Sequence, residues 1–165
     1  MRARKVAYYL SDCTFPFYVE YEFDAIPFSS FFKEAALSQT SYKREMLFLK
    51  MFAVRKSIDL HLAGEQAERL WRLVLGEMER IYDSLFPKDK EAIKADLPGA
   101  LATYGEACSR PGATPEEIVG KCFAARLGLP GEPRLARYAT NMFGRKTSRC
   151  DRYLSRRIWF QEWGG

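Results

Sequence analysis

Hydrophobic and polar positions follow two rhythms along this chain, and the change falls near residue 26. From Phe17 to Asp24 the period is two: Phe17, Val19, Tyr21 and Phe23 alternate with Tyr18, Glu20, Glu22 and Asp24. Alternation of this kind turns one set of side chains inward and the other to water, so it predicts a half-buried strand with an acidic outer face. Val6, Tyr8 and Leu10 repeat at the same interval and supply a partner strand across the turn-like Ser11-Asp12-Cys13-Thr14-Phe15-Pro16. Ile26-Pro27 closes the region, because proline has no N–H to give to a ladder.

Beyond Pro27 the spacing becomes helical. Ser29 or Ser30 can cap a short helix running to about Ser38, with Phe31, Phe32, Ala35 and Ala36 as its apolar positions. A longer one is expected from near Ser41 to about Leu62, where Leu47, Met51, Val54, Ile58 and Leu62 form an amphipathic stripe. Gly64 ends or bends it. The pattern then restarts with Leu70, Val74, Met78, Ile81 and Leu85, and Trp71, Leu75 and Tyr82 widen the apolar surface, so this helix should be central, with neighbours on two sides, and form a core hairpin with Met46 to Leu62. Pro87 stops it. A short polar helix over 88–97 should end before Pro98-Gly99, with another from Ala100 to Cys108.

Thr114-Pro115-Glu116-Glu117 carries a helix start in full: a capping hydroxyl, proline at the first helical position and a glutamate three residues after the cap. Gly128 with Pro130-Gly131 marks that helix's end. These elements predict a mainly α fold, a single domain over 1–165. It would consist of a β-hairpin or ribbon over 1–26 and a bundle of about six helices over 28–160, in which short loops make successive helices antiparallel neighbours.

Charge sharpens one stretch. Arg134 to Arg157 holds eight basic residues and one acid, Asp151, whereas the rest of the chain has 18 Lys/Arg against 20 Asp/Glu. The net charge of +5 is therefore local. Arg134, Arg137, Asn141, Arg145, Arg149, Arg152 and Arg156 recur every three or four residues and would share one face of a continuous helix. Gly144 is the weak point, since Phe143-Gly144-Arg145-Lys146 also fits a turn; Arg145, Arg149, Arg152 and Arg156 would still align after such a break.

Guanidinium forks suit bidentate contact with carboxylate or phosphate. Arg145, Lys146, Arg149, Arg152, Arg156 and Arg157 are thus candidate binding residues. Trp159 and Trp163 join them as aromatic neighbours of the kind that binding hot spots favour and that bases stack upon. The competing reading is internal: Glu20, Glu22 and Asp24 could pair with these arginines within the fold.

Other chemistry is thinly represented. Cys13, Cys108, Cys122 and Cys150 include no C-x-x-C pair, and His61 is the only histidine, so free thiols are expected and neither a metal nor a cofactor is called for. A lone histidine near a helix end is usually structural. Glu65, Glu68, Glu77, Glu79 and Asp83 lie among Arg72 and Arg80, which suggests surface ion pairs rather than a catalytic pair. Neither H-E-x-x-H nor a phosphate loop occurs, and no RNP, KH or zinc-finger pattern is present.

The basic start Met1-Arg2-Ala3-Arg4-Lys5 precedes an apolar run too short for a signal sequence. No window reaches the roughly 20 apolar residues of a membrane span. Together these features lead to the expectation of a cytoplasmic, non-enzymatic helical protein that binds an acidic protein surface through the arginine face. A nucleic acid on the same face is the alternative, and a small helical enzyme clamping a phosphorylated or carboxylated substrate the second. Pairing of the N-terminal strands within one chain or across two leaves both a monomer and a homodimer open.

Overall fold

The computed structural model describes residues 2–14, 37–112 and 114–158. Six helices account for them: α1 (Arg2–Thr14), α2 (Gln39–His61), α3 (Gly64–Leu85), α4 (Lys90–Cys108), α5 (Pro115–Arg126) and α6 (Pro133–Ile158). No strand occurs among the described residues. The alternating segment Phe17 to Asp24, the short helix expected from Ser29, and Trp159 and Trp163 lie outside them.

The N-terminal hairpin is not supported. Val6, Tyr8 and Leu10 belong to α1, where the positions that count are Val6, Ala7, Leu10 and Ser11, all buried on one face. Their spacing of one, three and one is that of a helix face. The run is short enough to satisfy both periods, and tertiary contact selects the helical one. α1 packs against α3, α2 and α6.

α2 is the axis of the fold. Its N-terminus is held by Ser38, whose Oγ accepts from Ser41 N at 3.0 Å. Every residue from Glu45 to Val54 is buried, and α2 touches all five other helices. The stripe Leu47, Met51, Val54, Ile58 and Leu62 is buried as the spacing predicts, but Phe48, Lys50 and Phe52 on other faces are buried too. A helix surrounded on all sides needs apolar residues on all sides, so amphipathicity is lost along its middle. Of the two helices expected to form the core hairpin, α2 is the one enclosed on all sides, while α3 has α1 and α2 as its neighbours. α3 keeps one wet face: Ala67, Leu70, Trp71, Val74, Met78 and Tyr82 are buried, and its charged residues pair outward.

Those outward pairs follow the expected ion-pair surface. Glu68 takes Arg55, Glu77 takes Arg80, Glu79 takes Lys94 and Asp83 takes Lys90. Exposed pairs of this kind contribute little stability each.

α4 runs unbroken through Pro98, where two helices were expected. Pro98 and Gly99 are exposed while Ile93, Leu97, Ala100, Tyr104 and Ala107 are buried. The apolar face is thus continuous across the proline, and its burial outweighs one missing N–H donor. α5 starts and stops as its sequence dictates. Thr114 accepts from Glu117 N at 3.4 Å, and Pro115 is the first helical residue. At the other end Leu129 N donates to Ala124 O and Gly128 N to Ala125 O, both at 2.9 Å, with Gly128 at φ 77°. This is the left-handed glycine cap that ends many helices.

α5 and α6 cross closely at Gly120. A side-chain carbon there would lie 2.2 Å from both Ala136 O and Thr140 Oγ1, and Thr140 Oγ1 donates to Glu116 O at 3.0 Å. The stack of Tyr104, Phe52 and Phe143, with ring centroids 5.4 and 5.6 Å apart, carries the core from α4 through α2 to α6.

Candidate functional site

α6 is a single helix through Gly144, so the turn considered at Phe143 to Lys146 does not form. The nearest atom to a side chain built on Gly144 would be Glu116 Cγ at 3.9 Å, an ordinary packing distance. The buried face of α6 is Leu135, Ala139, Met142, Phe143, Lys146, Cys150 and Leu154. With that face fixed against α2 and α5, Arg145, Arg149, Arg152 and Arg156 are left together on the exposed side. At 1.5 Å per residue their stripe is about 16 Å long.

Not all of the predicted face belongs to it. Arg134 is committed at the helix start, where its Nε and Nη2 donate to the two carboxylate oxygens of Glu132 at 2.8 and 3.1 Å. Its backbone N donates to Glu132 Oε1 at 3.0 Å, so Glu132 caps α6 as it holds Arg134. That pairing holds the Glu132 carboxyl below its usual range. Lys146 is 8% exposed and lies on the core side, apart from the arginines. Arg157's side chain, Trp159, Trp163 and the acidic residues Glu20, Glu22 and Asp24 are outside what the structure describes.

The one acid of the basic segment is turned elsewhere. Asp151 Oδ1 lies 3.5 Å from His61 Nε2, at the end of α2. The two atoms are buried and have no hydrogen-bond partner among the described residues. A histidine in the last turn of a helix, facing a carboxylate, is well placed to tie α2 to α6.

Two tyrosines complete the stripe. Tyr9 of α1 and Tyr153 of α6 stack with centroids 3.7 Å apart and an interplanar angle of 15°. Arg149 Nε is 3.5 Å from Tyr9 Oη, the outer limit of a hydrogen bond, and its guanidinium carbon is 5.8 Å from the Tyr9 ring centroid. Tyr9, Tyr153, Arg149, Arg152 and Arg156 line a shallow open depression of ≈ 170 Å³. Among the described residues, no carboxylate lies within ion-pair distance of Arg145, Arg152 or Arg156. Arg152 Nε donates only to its own helix, at Ser148 O, 3.3 Å away.

Sequence reasoning finds the arginines by their period but misses both tyrosines. Tyr9 is hidden by the strand reading of Val6 to Leu10, and Tyr153 is one more aromatic on a half-buried flank. The usable signal is position: Tyr153 is four residues past Arg149 and three before Arg156, beside the stripe on a helix.

A second polar cluster lies inside the fold and was also missed. Glu45 Oε1 accepts from Tyr104 Oη at 2.6 Å and from Arg126 Nε at 2.5 Å, joining α2, α4 and α5. The Glu45 side chain is 6% exposed and that of Arg126 25%. Burial pulls the Arg126 pKa down, but the hydrogen bond and charge of Glu45 outweigh it and raise it. Burial, and then Glu45, push the Tyr104 hydroxyl well above its usual value. Cys122 and Cys108 are half-buried free thiols, pushed upward chiefly by burial, and Cys150 is fully buried.

Among the described residues, no group of His, Cys, Asp and Glu could hold a metal ion, and no helix is long and apolar enough to cross a membrane. No protein-family model, curated protein or solved structure matches the chain.

Proposed function

We propose that this is a non-enzymatic helical binding protein that holds an acidic protein partner on the α6 arginine stripe. The observation that carries this reading is the pair Arg152 and Arg156. They share one depression, and no described carboxylate reaches them. Guanidinium groups left in this arrangement are complementary to clustered carboxylates or phosphates, and they raise encounter rates before contact is made.

The test uses poly-L-glutamate as the acidic probe and the double charge reversal Arg149→Glu/Arg152→Glu, with Arg69→Glu/Arg72→Glu on exposed α3 as a control of equal charge change. Loss of binding in the α6 variant with retention in the α3 control supports the stripe. Equal loss in both, or loss in neither, removes it. Single-stranded nucleic acid is the second reading, because its phosphates suit the same guanidinium groups. In that case log affinity falls linearly with log salt, with a slope set by the phosphates neutralised.

A further inference from the structure

We infer that the exposed face of α6 seats an acidic α-helix of the partner, laid along α6 with its carboxylates in matching register. This deepens the proposed reading and rests on it. The residues that carry it are Arg137, Arg145, Arg152 and Arg156. All four are exposed and, among the described residues, no carboxylate lies within ion-pair distance of them. Arg149 lies against the Tyr9 ring and is not counted among them.

At 3.6 residues per turn the four side chains fall within an arc of about 100° and extend along about 28 Å of the helix. The buried face, with Ala139, Lys146 and Cys150 along its middle, is turned the other way, and α6 packs on α2 and α5. No acid interrupts the row. Asn141 and Ser148, which lie between the arginines on the same arc, are exposed and uncharged, and Asp151 is turned to His61. Because α6 is continuous through Gly144, the helix itself fixes the spacing. The arginines follow one another at eight, seven and four residues, or about 12, 10.5 and 6 Å.

The backbone form of a partner decides how well it meets such a row. An extended segment gains main-chain hydrogen bonds on the edge of a sheet, and the face of a helix offers it none. A helix satisfies its own backbone and advances by the same rise of about 1.5 Å per residue. Packed at a shallow crossing angle, it stays alongside α6 over this length. Glutamates set eight, seven and four residues apart on it then stand opposite all four arginines at once, and each guanidinium fork takes one carboxylate in a charge-assisted pair. A single-stranded nucleic acid carries a charge on every nucleotide and has no such register to match, which makes it the contrasting probe.

The experiment is fluorescence anisotropy at low salt with labelled alanine-based peptides of one composition. The aligned peptide carries glutamates eight, seven and four residues apart on one face, made in both orders to allow parallel and antiparallel docking. A second peptide spreads the same glutamates around the helix, and a third is the aligned peptide interrupted by proline. Poly-L-glutamate and a single-stranded oligonucleotide run in parallel. The aligned peptide, in one of its two orders, should bind at least about tenfold more tightly than the spread or interrupted forms. Circular dichroism should show it helical when bound. Arg145→Gln/Arg152→Gln should remove its advantage while leaving the melting temperature of the protein unchanged. Arg145→Glu should weaken the aligned peptide, and lysine in place of the glutamate opposite should restore binding to that variant, a rescue that a merely structural defect would not allow.

Equal affinity for the aligned, spread and interrupted peptides, with poly-L-glutamate still bound through α6, overturns the helical register and leaves the acidic-partner reading standing. Tighter binding of the oligonucleotide than of any peptide overturns the assignment to a protein partner. Failure of every probe to bind at low salt overturns both readings.

Discussion

Arginine appears in this molecule in two settings, and the difference between them lies in what stands opposite. Arg126, at the end of α5, reaches Glu45 on the buried face of α2 and shares its carboxylate with Tyr104. Its guanidinium carbon also lies 5.9 Å from the ring centroids of Phe48 and Tyr104. Arg152 and Arg156, on the outer face of α6, have no described carboxylate within ion-pair distance, and the acid nearest them in sequence, Asp151, faces His61. The first arginine joins three helices, and under the proposed function the other two serve a partner. Residue type says nothing about which role applies; the position of the acids does.

Removing the charge from the interior cluster should have the largest effect. Glu45→Gln keeps the shape and an acceptor for Tyr104 but leaves Arg126 without its counter-charge. Breaking a fully buried pair costs about 3–5 kcal/mol, and since Arg126 keeps a quarter of its exposure the expected loss is about 2–3 kcal/mol. Urea denaturation of Glu45→Gln and of Arg126→Met, with the double variant to close the cycle, measures it. A coupling near zero would mean that the cluster is not a unit.

Alkaline pH should reach the same region without a substitution. Cys108 and Cys122, whose usual value is 9.0, and Tyr104, whose usual value is 10.0, are all raised in the folded state, first by burial. Above pH 9.0 the unfolded chain releases these protons while the folded chain keeps them, so the unfolded state gains. Stability is therefore full below pH 9.0 and falls as pH rises beyond it, first through the thiols and then through Tyr104. Cys108→Ser/Cys122→Ser should move the onset of the fall toward pH 10, as read from denaturant midpoints across the pH series.

A smaller effect probes the outer region. Gly144→Ala should stabilise the protein by about 0.5–1 kcal/mol, because the added methyl meets only Glu116 Cγ at 3.9 Å and alanine is the better helix former. Destabilisation in the same denaturant assay would instead mean that the arginine stripe is interrupted.

These two regions also differ in how far the sequence announces them. Local rules work where the signal is local: Ser38 aside, whose capping role falls just outside the expected start near Ser41, Thr114 and Gly128 act as their surroundings predict. The arginine stripe is legible because a three-four period on a long helix needs no knowledge of neighbours. Its tyrosines are not, since Tyr9 and Tyr153 meet only after α1 docks on α6. The interior cluster is harder still. Glu45 begins an apolar run, Tyr104 sits among small residues and Arg126 closes a helix, and their separations of 59 and 81 residues carry no pattern.

The N-terminal expectation failed for a related reason. Val6 to Leu10 is too short for its period to discriminate strand from helix, and packing against α3 decides. Pro98 misleads in the opposite direction, because a continuous buried face from Ile93 to Ala107 carries α4 through a residue that ordinarily ends a helix.

The most direct test of the contrast is one titration of labelled poly-L-glutamate against wild-type protein and Arg152→Gln/Arg156→Gln across a sodium chloride series, after matched denaturation curves. If these arginines serve a partner, the variant should unfold within about 0.5 kcal/mol of wild type, as exposed substitutions do. It should also bind at least tenfold more weakly at low salt, with a shallower salt dependence. A variant that binds as well as wild type, with the same salt dependence, or that is destabilised as Glu45→Gln is, would contradict the division between an arginine spent in the fold and arginines left outside it.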